Sequence, residues 1–171
     1  MVTFRSGAES ISSFLVLPGG GGRHGGVIAI HEWWGLNAWV KMQAMSLAAN
    51  GYVVIVVDLY RGRVTDNGSE ARKLKRALTE DRAMRDMKAA FHYLATRPDV
   101  HSKHIGSIGW SMGGSFVIQL AIHEPRLAAC VVNYGALPAD PADVKRIKCS
   151  GAGELWTAES FPLESELSRS S

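Results

Sequence analysis

The stretch His104-Ile105-Gly106-Ser107-Ile108-Gly109-Trp110-Ser111-Met112-Gly113-Gly114 decides how this chain folds. A short apolar run leads into Gly-x-Ser-x-Gly, and an apolar segment from Gly114 to Ile122 follows. The run reads as a buried strand and the segment as a buried helix. Strand, Gly-x-Ser-x-Gly and helix together form the context of a nucleophile elbow. The turn is too tight for side chains on its flanks, which accounts for Gly109 and Gly113. Ser111 is held at the strand's C-terminal end with its hydroxyl pointing out of the sheet. The helix N-terminus offers free N–H groups and a positive dipole end where an oxyanion would form. The motif alone is weak and also fits a glycine-rich turn with an incidental serine; the flanking elements favour catalysis.

Outward from the elbow, strands and helices alternate. Ile11 to Leu17 reads as a first strand, ended by Pro18 and a glycine run, and Val27 to Ile30 as a short apolar strand. Val40, Ala44, Leu47 and Ala48 recur at helical spacing, with Asn37 as N-cap and Asn50-Gly51 as the stop. Tyr52 to Val57 has the β-branched apolar pattern of a strand buried on both faces. Ser69 can cap a helix running to Leu78. Met84, Met87, Phe91 and Leu94 mark the core face of the next helix, which ends at Arg97-Pro98. After the elbow helix, Leu127 to Tyr134 reads as a further strand. This alternation predicts an α/β fold, a mostly parallel sheet with helices on both faces.

At 171 residues, with 46% hydrophobic and 20% charged residues, the chain has the size and composition of one soluble domain. The net charge of +3 is small. Its densest basic cluster, Arg72-Lys73-Leu74-Lys75-Arg76, reads as a solvated helix face without the aromatic interleaving of a nucleic-acid surface. Of the two cysteines, Cys130 lies in an apolar strand as a buried free thiol and Cys149 begins the tail. No metal-ligand spacing occurs, so no metal and no cofactor is expected. No apolar stretch is long enough to span a bilayer, and the expected compartment is the cytoplasm. Gly20, Gly22 and Gly25 satisfy Gly-x-Gly-x-x-Gly, but they precede a strand and open no helix. They read as a flexible hairpin connection.

A second motif stands just after the strand Val27–Ile30: His31-Glu32-Trp33-Trp34-Gly35-Leu36-Asn37. In a parallel sheet, loops at strand C-termini gather at one edge, where ligands bind. This loop and the elbow should therefore face each other. Trp33 and Trp34 are a pocket wall or simple packing, and the Trp33 N–H can join that of Met112 as a second oxyanion donor. With Gly51-Tyr52, Asp58-Leu59-Tyr60, Gly106 to Gly114 and Asn133-Tyr134-Gly135, these segments resemble the dienelactone hydrolase family of α/β-hydrolases over residues 11–148. The resemblance implies hydrolysis of small esters or lactones, with Ser111 as nucleophile, Met112 and Trp33 as oxyanion donors, and Glu32 as the acid that approaches the nucleophile at rest. Trp34 joins them as a substrate-binding residue.

Three departures from the family pattern stand out. The family prototype uses a cysteine where this chain has Ser111, and a serine hydroxyl depends more on an adjacent base. The prototype's arginine for the substrate carboxylate aligns with Gly68 or Ser69; Arg61 or Arg63 could stand in. The triad order is serine, acid, histidine, yet the one histidine after Ser111 is His123. Twelve residues along the same helix at ~1.5 Å each puts it about 18 Å away, out of reach. His31 sits on the right loop, but nothing directs its ring to Ser111. Asp140 and Asp143 read as solvated turn residues. No complete triad is visible.

From Cys149 the pattern changes abruptly, and residues 149–171 read as an atypical, disordered tail behind a hydrolase core over 1–148 that lacks the fold's C-terminal strands and helix. The genetic code permits the codons TCC-GGT-GCT-GGG-GAG-CTT-TGG for Ser150 to Trp156. Without the leading base they read Pro-Val-Leu-Gly-Ser-Phe-Gly, a strand of the family's type. The tail is therefore expected to be a frame-shifted reading, with a naturally divergent tail as the alternative, and sequencing of the gene decides between them. Two further expectations follow. The strand ending at Tyr134 has an open edge on which a second copy can pair, giving a homodimer. The activity is either that of a serine-dependent ester or lactone hydrolase, silent or residual in this chain, or the fold serves as a non-catalytic ligand-binding or interaction protein.

Overall fold

The computed structural model describes residues 1–149 apart from 137 and 139. Its elements are β1 (Val2–Ser6), β2 (Glu9–Val16), β3 (His24–Ile30), α1 (Ala38–Ala49), β4 (Tyr52–Val57), α2 (Gly68–Ala77), α3 (Glu80–Ala95), β5 (Val100–Trp110), α4 (Met112–His123), β6 (Ala129–Asn133) and α5 (Pro141–Val144). Six strands form one sheet in the order β1-β2-β4-β3-β5-β6. β4, β3, β5 and β6 run parallel, and β1 and β2 are antiparallel to their neighbours. The sheet is mostly parallel, as the alternation predicts.

Two cores flank it. Ile28, Ile30, Val53, Ile55, Val57 and Ile105 pack with Ala83, Met87, Phe91 and Leu94 of α3 and with Val117 and Ile118 of α4. On the opposite face Ala29, Val54, Val56 and Trp110 pack with Val40, Ala44 and Ala48 of α1. Successive strand residues thus serve opposite faces, which is why β4 is apolar at every position. Phe91 and Leu94 are fully buried where the helical spacing placed the core.

The Asn37 side chain caps α1 by accepting from the Val40 N–H at 3.1 Å. The cap of α2 is Asn67, not Ser69: its Oδ1 accepts from the N–H groups of Ser69 and Glu70, so the helix starts two residues earlier. An amide side chain caps as well as a hydroxyl, and here the asparagine stands at the earlier position. The glycine run is not a hairpin. β4 lies between β2 and β3, so the run belongs to a crossover, and Gly25 is already inside β3. β1 escaped the sequence reading because its alternation, Val2 and Phe4 inward, spans only five residues. The elbow strand β5 is longer than its apolar core, since Val100–His104 is exposed except at Val100.

Cys149 is buried beside Cys130 in the main core rather than opening a tail. Contact with Cys149 and burial push the Cys130 thiol up, so it stays protonated. The shifted-frame reading concerns 150–171, which lie outside the described residues. Among the described residues no helix is long and apolar enough to cross a membrane.

Candidate active site

β5 delivers Ser111 and stops there. Ser111 has φ 52° and ψ −116°, a left-handed conformation that a residue with a Cβ adopts only where the surroundings impose it. The constraints are visible. The Ser111 N–H donates to the Asn133 carbonyl at 2.9 Å, and the Asn133 side-chain amide donates to the Gly109 carbonyl at 3.2 Å. α4 then begins at Met112, and the Ser115 N–H returns to the Ser111 carbonyl at 3.2 Å. The first N–H groups of a helix have no partner within it, so those of Met112 and its neighbours face the space beside Ser111.

Two glycines permit this packing. A Cβ on Gly109 would collide with the Gly113 carbonyl, and one on Gly113 with the carbonyls of Ile30 and His31, the latter 2.7 Å away. The first turn of α4 therefore lies directly on the backbone where β3 ends and the His31–Asn37 loop begins. The loop and the elbow meet at the C-terminal edge of the parallel strands, as the motif positions require.

Within the loop, His31 is fully buried. The Leu59 N–H donates to its Nε2 at 3.2 Å, which leaves the proton of a neutral ring on Nδ1, 2.5 Å from the Glu32 carbonyl. Burial pulls its pKa down, opposed by the Glu32 carbonyl and the Asp58 charge. Both ring nitrogens are occupied away from Ser111, so His31 is no general base. Trp33 and Trp34 are half-buried and meet edge to face at 5.0 Å, with Trp33 packed on the main core. The Trp34 carbonyl accepts from the Thr65 N–H at 3.1 Å.

The Glu32 carboxylate accepts from the Tyr134 hydroxyl at 3.1 Å; among the described residues its partner is Tyr134 rather than Ser111. Tyr134 also has a positive φ, 45°, and is 70% exposed, so it stands at the rim. Tyr60 packs against the first residue of α4: its hydroxyl donates to the Met112 sulfur at 3.2 Å, and burial pushes its pKa up to about 12. The sequence reading assigned no role to Asn133 and Tyr134, although Asn-Tyr-Gly directly after a β-branched strand marked the place.

Arg61 and Arg63 are not poised for a substrate carboxylate. Arg61 is paired with Asp86 at 2.7 Å and Glu9 at 2.8 Å, and Arg63 with Glu70. His123 sits at the far end of α4, its Nδ1 against the Gln119 carbonyl at 2.9 Å. Asp140 accepts from the Ala142 N–H, and Asp143 pairs with Arg146. Among the described residues no histidine ring hydrogen-bonds Ser111, and no cluster of His, Cys, Asp or Glu could hold a metal.

A strained serine between a parallel strand and a helix N-terminus, faced by a second strand-end loop, defines the nucleophile-elbow class of α/β-hydrolase proteins. Within that class the chain belongs to the dienelactone hydrolase family, whose model matches residues 11–152. It is 31% identical to the protein usf of Aquifex pyrophilus over 155 residues, covering 86% of this chain and 66% of that one. A Synechocystis protein with the provisional name carboxymethylenebutenolidase is 30% identical, with 80% of this chain and 58% of that protein covered. A solved dienelactone hydrolase-like promiscuous phosphotriesterase from metagenomic libraries superposes with a TM-score of 0.77 at 25% identity, covering 86% of this chain and 64% of that one. The chain thus spans less than two thirds of the length of these relatives.

Proposed function

We propose that this chain carries the nucleophile half of an ester or lactone hydrolase, with Ser111 attacking the carbonyl carbon of a small ester or lactone. The forming oxyanion would sit between the N–H groups of Met112 and Trp33, and Trp34 would line the substrate's path. The alcohol leaves with a proton, and water then releases the acid from the Ser111 ester. The observation that carries this reading is the Ser111 backbone at φ 52°, ψ −116°, a costly conformation maintained where a nucleophile requires it. Because no described histidine reaches Ser111, proton removal falls to Glu32 or to groups beyond residue 149, and turnover by this chain is expected to be absent or residual.

The absence of a described base also favours a second reading, a non-catalytic binding protein using the same Trp33–Trp34 surface. Hydrolysis of p-nitrophenyl acetate separates the two. Saturable turnover that disappears in Ser111→Ala supports the hydrolase. Ligand binding that survives Ser111→Ala, with no turnover from either protein, supports the second reading. β6 is an edge of the described sheet, and we propose it as the surface on which a second copy pairs. Sedimentation equilibrium would show a concentration-dependent dimer; a monomer at every concentration would rule this out.

A further inference from the structure

His31 is fully buried, never touches Ser111 by hydrogen bond, and yet spends both ring nitrogens on the backbone of the site. Its Nε2 accepts from the Leu59 N–H at 3.2 Å. The next peptide along, Leu59–Tyr60, is also held, because the Arg82 guanidinium donates to the Leu59 carbonyl at 3.2 Å. The ring is further held edge-on to Tyr60, with centroids 4.9 Å apart. An acceptor at Nε2 forces the neutral ring's proton onto Nδ1, which then donates to the Glu32 carbonyl at 2.5 Å. The Gly35 N–H donates to the same carbonyl at 3.3 Å.

The Glu32 carbonyl and the Trp33 N–H belong to one peptide group. A trans peptide is planar, with its C=O and N–H pointing in opposite directions. Holding the carbonyl inward against the ring therefore turns the Trp33 N–H away from it. A carbonyl that accepts two hydrogen bonds also polarises its own peptide and strengthens the N–H as a donor. We propose that His31 is the positioning residue of the oxyanion site: in its neutral, Nδ1-protonated form it sets the direction of the Trp33 N–H by fixing the Glu32–Trp33 peptide. This rests on the reading of Trp33 as an oxyanion donor. It differs from a packing role, since a merely space-filling side chain would not care which nitrogen carried the proton.

Two substitutions divide the ring's duties. The amide nitrogen of His31→Asn lies near the Nδ1 position and keeps a donor toward the Glu32 carbonyl. The longer His31→Gln keeps an acceptor for the Leu59 N–H and loses that donor. Nitrogen-15 NMR of the unaltered protein is expected to show a neutral ring protonated at Nδ1. The Trp33 amide resonance should be displaced in His31→Gln and nearly retained in His31→Asn. Where p-nitrophenyl acetate turnover is measurable, kcat in His31→Gln should fall roughly tenfold to a hundredfold, below the ~10²–10³ of outright donor loss. KM should change by less than about threefold, and His31→Asn should recover most of the loss.

An Nε2-protonated ring would overturn the proposal, as would a Trp33 amide unmoved in a folded His31→Gln. Equal losses of kcat in both variants would do the same. If the unaltered protein and Ser111→Ala are equally silent and ligand binding survives Ser111→Ala, the hydrolase reading gives way to the binding reading, while the tautomer and the Trp33 resonance still judge His31. The tautomer is read on the unaltered chain, so misfolding of a variant does not remove the test.

Discussion

Ser111 and Gly113 show how single residues make the elbow. Ser111 occupies a backbone region that costs on the order of 1–3 kcal/mol, held there by the Asn133 carbonyl on its N–H and by the start of α4. Gly113 has no room for a side chain, since the carbonyls of Ile30 and His31 lie where a Cβ would go. Neither carbonyl can yield without moving β3 or the loop after it. Gly113→Ala is therefore expected to lower stability by more than about 2 kcal/mol, or to push α4 off the His31 loop. Urea denaturation measures the first and the Trp33 amide resonance the second. An alanine variant of native stability would mean that the contact relaxes at little cost. Gly-x-Ser-x-Gly was legible because these requirements leave so few residue choices.

Between elements, the strongest polar junction is Asp86 of α3. Its carboxylate is fully buried, accepts from the Ser6 hydroxyl at 2.5 Å and pairs with Arg61 at 2.7 Å. Arg61, with φ 56°, in turn reaches Glu9 at 2.8 Å. One carboxylate thus ties the β1–β2 hairpin, the loop after β4 and α3 together. That loop carries Leu59 and Tyr60, the contacts of His31 and Met112. Asp86→Ala would leave the fully buried Ser6 hydroxyl without its acceptor and the half-buried Arg61 charge with Glu9 alone. A loss of about 3 kcal/mol is expected, in the range for breaking a buried pair from one side. Thermal unfolding checks this, and a loss below about 1 kcal/mol would show that water replaces the carboxylate. The junction was invisible in the sequence, because Ser6, Glu9, Arg61 and Asp86 share no motif and meet only through the fold.

For the molecule as a whole, the buried His31 and the paired carboxylates set how stability depends on pH. The native His31 ring resists protonation because it is buried, so the unfolded chain takes up the proton first. Its contribution is complete above the ordinary histidine pKa of about 6.5 and declines as pH falls below it. Asp99, held low by the Arg97 hydrogen bond, and Glu124, held low by the Arg126 hydrogen bond, act in a lower window. Their contributions are full above about pH 4.5 and are lost on further acidification. Both pairs reach solvent, so each is worth little individually. Melting temperature against pH is expected to bend downward first below about 6.5 and again below about 4.5. The upper bend should flatten in His31→Asn; its persistence there would assign it to another group.

The strand and helix pattern, the elbow, the Asn37 cap and the meeting of two strand-end loops were determined by the sequence itself. Each depends on local periodicity, or on glycines that sterics make nearly obligatory. The tertiary structure alone decided the partners: β4 inserted between β2 and β3, Cys149 against Cys130, Tyr134 on Glu32, and Asp86 under Arg61. It also decided what His31 does, because the protonated nitrogen follows from the Leu59 N–H, twenty-eight residues away. Such contacts join positions far apart in the chain, and only the packed sheet and its helices set the distances between them.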